Sequence, residues 1–123
     1  MQCQKRNVTS ATINGKILSL ENAKTPDELN QGLMFRKHLP ENNGMLFSYN
    51  HMDNHSFWMK NTLIPLDMIF VNHEDTVVGV INNAAPQTLI SRQIGTPSCY
   101  VIETNGGWAQ KNEVKEGTKI FFK

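Results

Sequence analysis

The sequence lacks most of the features that would place a chain directly in a functional class. Only two of its 123 residues are cysteines, so it is not a disulfide-rich scaffold. Its longest purely apolar runs are three or four residues, too short for a membrane-spanning helix. Twelve Lys and Arg against eleven Asp and Glu leave a net charge of +1. Nothing in this balance indicates nucleic acid or an anionic membrane as a partner.

Several familiar motifs are also missing. There is no Gly-x-Ser-x-Gly elbow, phosphate-binding loop, dinucleotide fingerprint or HExxH motif, so we expect no cofactor. The segment His51–His55 places two imidazoles four residues apart, with Asp53 between them. It lacks the apolar periodicity of a helix, and no further ligand stands close by in the sequence. We interpret it as a solvated polar loop and expect no resident metal.

What is present is enough chain for one domain, with clear local signals near its start. Val8–Glu21 alternates as a hairpin does, and its central Asn14-Gly15 suits the positive φ angles of a tight turn. Thr25-Pro26-Asp27-Glu28 is a helix-capping sequence. It predicts a short helix from Pro26 to about Met34.

Short strand patterns separated by turns fill the rest of the chain. They are Met45–Phe47, Phe57–Lys60, Leu66–Val71, Val77–Ile81, Tyr100–Ile102 and Lys119–Phe122. Val77–Ile81 is apolar at both parities, which predicts a central strand covered on both faces. Together they predict a mostly β single domain over residues 8–123. We expect a jelly-roll-like β-sandwich or a partly open barrel with one short helix in the N-terminal half. Residues 1–7 are expected to form a flexible tail.

The two cysteines lie in different settings. Cys99 falls in a predicted buried strand, where it behaves as a small apolar residue. Cys3 stands in the N-terminal tail, so we expect no disulfide between them. No export signal is visible, which favours the cytoplasm if the N-terminus is native. Alternatively, Met1 was added to a trimmed chain, and Cys3 lies at or near a lipid-modified cysteine of the cell envelope.

Three blocks carry a resemblance to a known family: Gly32–Arg36, Gly44–Phe47 and the fourteen-residue block Phe57–Phe70. On these the chain resembles the prokaryotic family named domain of unknown function 192 (DUF192). The likeness covers about residues 15 to 122. It implies a compact, mostly β, jelly-roll-like fold and carries no established activity. Relatives often have an export signal, which supports a periplasmic or envelope location.

Candidate binding residues cluster in and around Phe57–Phe70. If Phe57–Lys60 is a strand, Trp58 and Lys60 share a face and offer a stacking surface beside an ammonium group, with Asn61 next to it. Asp67 joins that face only in one of two registers. The alternative is that Trp58 belongs to the core and Lys60 pairs with Asp67.

Three further residues complete the predicted site as its rim. Arg36 suits bidentate binding of an anion, and we favour an internal partner such as Asp67 or Glu103. Glu103 ends an inner strand, where a carboxyl group can act as acid or base or can serve a structural role. Trp108 follows the turn after it.

We therefore consider three hypotheses, each from a different class of protein. The first is a non-catalytic extracytoplasmic binding module for a glycan or a small polar ligand. The second is a small enzyme that uses Asp67 or Glu103 as acid or base. The third is a structural partner of a cell-envelope protein.

Overall fold

The computed structural model describes all residues from 1 to 123 and shows one curled β-sheet with two short helices. The elements in chain order are β1 Ser10–Ile13, β2 Lys16–Ala23, α1 Pro26–Gln31, β3 Asn43–Asp53, β4 Leu66–Val71, β5 Val77–Ala84, β6 Ser98–Asn105, α2 Trp108–Lys111 and β7 Ile120–Phe122. The predicted mostly β fold is confirmed, and of the two predicted architectures it corresponds to the partly open barrel. No helix has the length and apolar character needed to cross a bilayer.

The strand order explains where α1 lies. The strands run β5-β4-β6-β3-β2-β1-β7, and only the β2–β3 pair is parallel. A parallel pair cannot be joined by a tight turn, so the chain crosses over the sheet between these strands. That crossover contains α1, which begins with the predicted capping box at Thr25 and Glu28. The helix ends earlier than expected, because Gly32 leaves helical geometry at φ 49°.

The sheet curls until its two edge strands approach each other. Thr76 and Lys119 form an isolated bridge, and the Ile120 N–H donates to the Asp75 carbonyl oxygen at 2.8 Å. The curl encloses an inner apolar cluster that includes Leu46, Ile69 and Trp108. We call this side of the sheet the inner face. The outer face carries a second cluster, covered by the crossover and by loops.

One predicted strand is wrong, and a second is a strand at a different position in the sheet from the one expected. Phe57–Lys60 is not a strand, since Phe57 makes only an isolated bridge to Arg92. Val77–Ile81 lies within β5, which is an edge strand and not a central one. Its apolar residues at both parities have another cause: Ile94, from the following loop, packs against Gly79 on β5. The loop that contains Ile94 thus covers β5, and no further strand does so.

The expectation of no disulfide is also wrong, because Cys3 and Cys99 are bonded, with their Cα atoms 5.6 Å apart. The N-terminal segment lies along the sheet: the Cys3 N–H donates to the Asn50 carbonyl oxygen at 2.7 Å. Arg6 lies between the rings of Tyr100 and Phe122. Residues 1–7, expected as a flexible tail, thus contact the central strands and bring Cys3 to β6.

Candidate functional site

A pocket opens on the outer face of the sheet, between α1 and the loop of residues 56–62. Its cavity measures about 100 Å³, which is room for a chemical group of several heavy atoms. The wall is strongly aromatic and is formed by Phe47, Tyr49, Phe57 and Trp58. All three blocks that carry the family resemblance contribute to the pocket, through Gly32–Met34, Phe47 and the start of Phe57–Phe70.

Glu103 is the one acidic residue that lines this pocket. It lies on β6, directly across from Met45 of β3 and Met68 of β4, and is 5% exposed. Its carboxyl oxygens reach the cavity surface, and no protein group donates a hydrogen bond to them. Burial raises the pKa of Glu103 from 4.5 to about 8. The carboxyl group is therefore mostly protonated at pH 7.

Asp67, the other predicted carboxylate, lies on the opposite face. In the β4–β6 register Asp67 pairs with Thr104, whereas Glu103 pairs with Met68. Adjacent residues of a strand point to opposite faces, so Asp67 points inward and Glu103 outward. The two therefore do not form the facing carboxylate pair that glycoside hydrolysis uses.

The carboxylate of Asp67 has a structural role. It accepts hydrogen bonds from the backbone N–H groups of Asn83 at 2.8 Å, Gly107 at 3.1 Å and Ala109 at 2.8 Å. Asp67 is fully buried. Its three bonds fasten the turn before α2 and the end of β5 to β4. We do not place it in the candidate site.

The aromatic wall is organised around Phe57. Its ring meets those of Phe47, Tyr49 and Phe70 edge-on, with centroid distances of 5.2, 6.5 and 6.1 Å. Tyr49 stacks on His55 at 3.7 Å between centroids. Burial, and secondly the nearby charge of Glu103, raise the pKa of Tyr49. Burial also lowers the pKa of His55. The wall is thus uncharged around neutral pH.

Gly32 keeps the pocket open beside Phe47. A Cβ atom at residue 32 would lie 2.9 Å from a ring carbon of Phe47, closer than side chains approach in practice. The residue also has a φ of 49°, which favours glycine. A residue with a Cβ atom at position 32 would clash with Phe47, so the pocket needs glycine at this position, directly after α1.

Trp58 and Lys60 come together, although not in the predicted way. The loop turns at Met59, whose carbonyl oxygen accepts from the Thr62 N–H at 3.1 Å. Trp58 is 45% exposed and lines the pocket, and the Lys60 Nζ atom lies 5.2 Å from its ring centroid. The alternative of a core Trp58 with a Lys60–Asp67 ion pair is not what the structure shows. The indole and the ammonium group come together because the loop folds back, and not because they lie on one face of a strand.

The remaining predicted residues lie outside the pocket. Asn61 has a φ of 54°, and its carbonyl oxygen accepts from the Phe35 N–H at 2.8 Å. Arg36 has an internal partner, as favoured, but the partner is Glu21, bound by both terminal nitrogens. Trp108 is buried on the inner face, where its indole N–H donates to the Asn42 side chain at 3.1 Å.

Sequence reasoning missed Tyr49, Phe57 and Gly32 as pocket residues. Tyr49 follows Phe47 by two positions, and this spacing could have placed both on one face of β3. The His51–His55 segment forms the end of β3 and the loop after it, where the His55 Nε2 atom lies 3.3 Å from the His51 carbonyl oxygen. No group of three or more His, Cys, Asp or Glu side chains is arranged to hold a metal ion.

Comparison with known proteins identifies an uncharacterised family and two similar solved structures. The family model DUF192, described as "Uncharacterized ACR, COG1430", matches residues 9–122. A protein of unknown function from Novosphingobium aromaticivorans is 37% identical, with a TM-score of 0.87 over 92% of this chain and 84% of that one. A Sinorhizobium meliloti protein described as a candidate transcription regulator is 33% identical, with a TM-score of 0.84 over 86% and 82%. No curated protein shows a significant match.

Proposed function

The chain belongs to the DUF192 family, whose function is unknown, and we propose that it is a non-catalytic extracytoplasmic module that binds a small polar ligand, such as one unit of a glycan. The observation that carries this proposal is the unpartnered carboxyl group of Glu103 at the base of an open pocket. Buried polar groups normally have hydrogen-bond partners. A ligand that supplies the partner offsets a desolvation cost that the fold leaves uncompensated.

Trp58 gives the proposed ligand its second contact. An indole ring that is half exposed at a pocket mouth can stack on the apolar face of a sugar. The cavity is too small for a whole drug-sized ligand, which needs about 300 Å³ or more. We therefore place one substituent of the ligand in the pocket and the rest of it against Trp58.

The Cys3–Cys99 disulfide supports a location outside the cytoplasm. Structural disulfides persist in oxidising compartments such as the periplasm and are rare in the cytosol. A lipid anchor on Cys3 needs the same sulfur atom that the disulfide uses. We therefore retain the periplasmic or envelope location and leave the anchor out of the proposal.

The direct test is a thermal-shift screen with saccharides, carboxylates and phosphates at millimolar concentration. A ligand at 100 times its dissociation constant stabilises the native state by about 2.7 kcal/mol, or several degrees for this size. We expect a saccharide to raise the melting temperature of the wild type and of Phe121→Ala, a control that removes an even more exposed aromatic side chain, on β7 and outside the pocket. The shift should shrink in Trp58→Ala. Equal shifts in all three proteins would contradict binding at the pocket.

A second candidate function is a small enzyme with Glu103 as general acid. The specific observation in its favour is the pKa of about 8, which keeps a transferable proton on the residue at neutral pH. Aryl glycosides that release a chromophore provide the assay. Turnover that Glu103→Gln abolishes, with binding retained, would favour this candidate over the binding module.

The third hypothesis, an envelope protein partner, has support of a different kind. Phe35, Trp58, Leu63, Leu89 and Ile90 are exposed apolar side chains on segments that adjoin the pocket. An apolar surface of this kind can also receive a protein.

A further inference from the structure

The charge of the pocket lining narrows the class of ligand. Glu103 is the one residue of the lining that carries an acidic or basic side chain, and Tyr49 is the one other titratable group there. No lysine, arginine or histidine lines the cavity. Any charge that a ligand brings to the base of this pocket therefore meets only a carboxyl group.

We propose that the ligand presents a primary ammonium group to the Glu103 carboxylate, as an amino sugar does, with the rest of its ring against Trp58. This inference rests on the proposed function and narrows its ligand class. It assigns Glu103 as the specificity-determining residue of the pocket.

The surroundings of Glu103 supply no competing cation. Its neighbours across the sheet are Met45 and Met68, which are uncharged. The α1 side contributes the amides of Asn30 and Gln31, and the loop side contributes Ser56 and Thr62. Among the cations on flanking segments, Arg36 is paired with Glu21 outside the pocket. Lys60 lies on the Trp58 ring and is not part of the cavity lining.

The half-exposed ring of Trp58 favours a cation over an anion. Ring faces carry negative potential and attract ammonium groups placed within about 6 Å. Trp58 already holds one such group, because the Lys60 Nζ atom lies 5.2 Å from its centroid. An anionic group at the base of the pocket would meet the Glu103 carboxyl group. A neutral hydroxyl group would make a hydrogen bond but would leave the carboxyl group without an ion pair.

Binding of an ammonium group changes the protonation of the pocket. In the free protein, Glu103 holds a proton below about pH 8. When the ammonium group enters, that proton passes to solvent and the carboxylate remains as the partner of the cation. For a cation that keeps its charge throughout, such as methylammonium, the affinity should therefore rise with pH up to about 8. For an amino sugar, binding at pH 7 should release protons, less the fraction that the neutral form of its own amine takes up.

The test compares three sugars that differ only at carbon 2: glucosamine, glucose and N-acetylglucosamine. Each is titrated calorimetrically into the full chain at pH 7, in two buffers of different ionisation enthalpy. We expect glucosamine to bind about tenfold more tightly than the other two, with proton release seen only for glucosamine. Methylammonium serves as the minimal probe and should compete with glucosamine.

Two variants separate the possible outcomes. Glu103→Gln should remove both the preference for glucosamine and the proton release, whereas Glu116→Gln, which changes an exposed carboxylate in a turn, should keep both. Equal binding of the three sugars that still depends on Trp58 would overturn the ammonium inference and leave the proposed function standing. Binding of none of the sugars, with no thermal shift that depends on Trp58, would overturn both.

Discussion

Asp67 and Glu103 are two buried carboxyl groups on neighbouring strands, and their surroundings are opposite. Asp67 points to the inner face and receives three backbone N–H groups, at 2.8, 3.1 and 2.8 Å. Glu103 points to the outer face and receives none. A step of one residue in the β4–β6 register produces this difference, because alternate residues of a strand face opposite ways.

The comparison separates a structural carboxylate from one available to a ligand. Backbone donors compensate the desolvation of Asp67, so its charge holds β4, β5 and α2 together. At Glu103 the same cost is uncompensated, and the pKa rises to about 8. A group that destabilises the fold beside an open cavity is typical of a functional site.

The largest effect should come from Asp67→Asn. One of the two oxygens becomes an NH₂ group, which cannot accept from the backbone N–H groups around it. We expect the free energy of unfolding to fall by about 4 kcal/mol, measured by urea denaturation at pH 7. Asp27→Asn, an exposed change in α1, is the control and should cost less than about 1 kcal/mol. If Asp67→Asn lowered the free energy of unfolding as little as the control does, Asp67 would not be the structural carboxylate that we infer.

Glu103→Gln should act in the opposite direction. The folded pKa of Glu103 lies above its ordinary value, so the folded state holds a proton that the unfolded state has lost between pH 4.5 and 8. Stability therefore declines as pH rises through this window, by up to about 1.4 kcal/mol per pH unit. The variant should be more stable than wild type by about 3 kcal/mol at pH 7 and equal to it near pH 4. Parallel pH curves for the two proteins would show that Glu103 is ionised in the fold.

Removing the disulfide tests whether the two faces are independent. Cys99 belongs to the inner cluster, and Cys3→Ser removes the covalent bond between the N-terminal segment and Cys99. We expect a loss of about 2 kcal/mol, at the low end for a disulfide, since backbone hydrogen bonds still hold the segment. Saccharide binding at the outer pocket should be unchanged within twofold. A large loss of affinity would mean that the N-terminal segment supports the pocket.

The smallest effect is expected at Lys60. Its ammonium group lies on an exposed ring, so Lys60→Met should change the free energy of unfolding by no more than about 0.5 kcal/mol. If the Trp58 face is the stacking surface, glucosamine affinity should stay equal or increase, because a competing cation is gone. A marked loss of affinity would instead make Lys60 a direct ligand contact.

Local signals in the sequence predicted much of the sheet correctly. Asn14-Gly15 marks the β1–β2 hairpin, where both residues have positive φ, and the capping sequence marks the start of α1. Leu66–Val71 matches β4 at both ends. These features depend on neighbouring residues, which explains why they are visible in a single sequence.

Features that depend on distant parts of the chain were not predictable in the same way. The pairing of Cys3 with Cys99 spans 96 residues, and the edge position of β5 depends on which strands join the sheet. The register of Asp67 stayed open for the same reason. Glu103 and Trp58 were both identified as candidates, but only the fold brings them to one pocket and removes Asp67, Arg36 and Trp108 from it.

The most direct test of this account is an NMR titration of the Glu103 carboxyl carbon, with Glu103→Gln used for assignment. We predict a midpoint near pH 8 in the free protein, and a lower midpoint when glucosamine is bound. A midpoint near the ordinary value of 4.5 in the free protein would show that the carboxyl group is already compensated. That result would contradict the account of Glu103 as the unpartnered base of a ligand pocket.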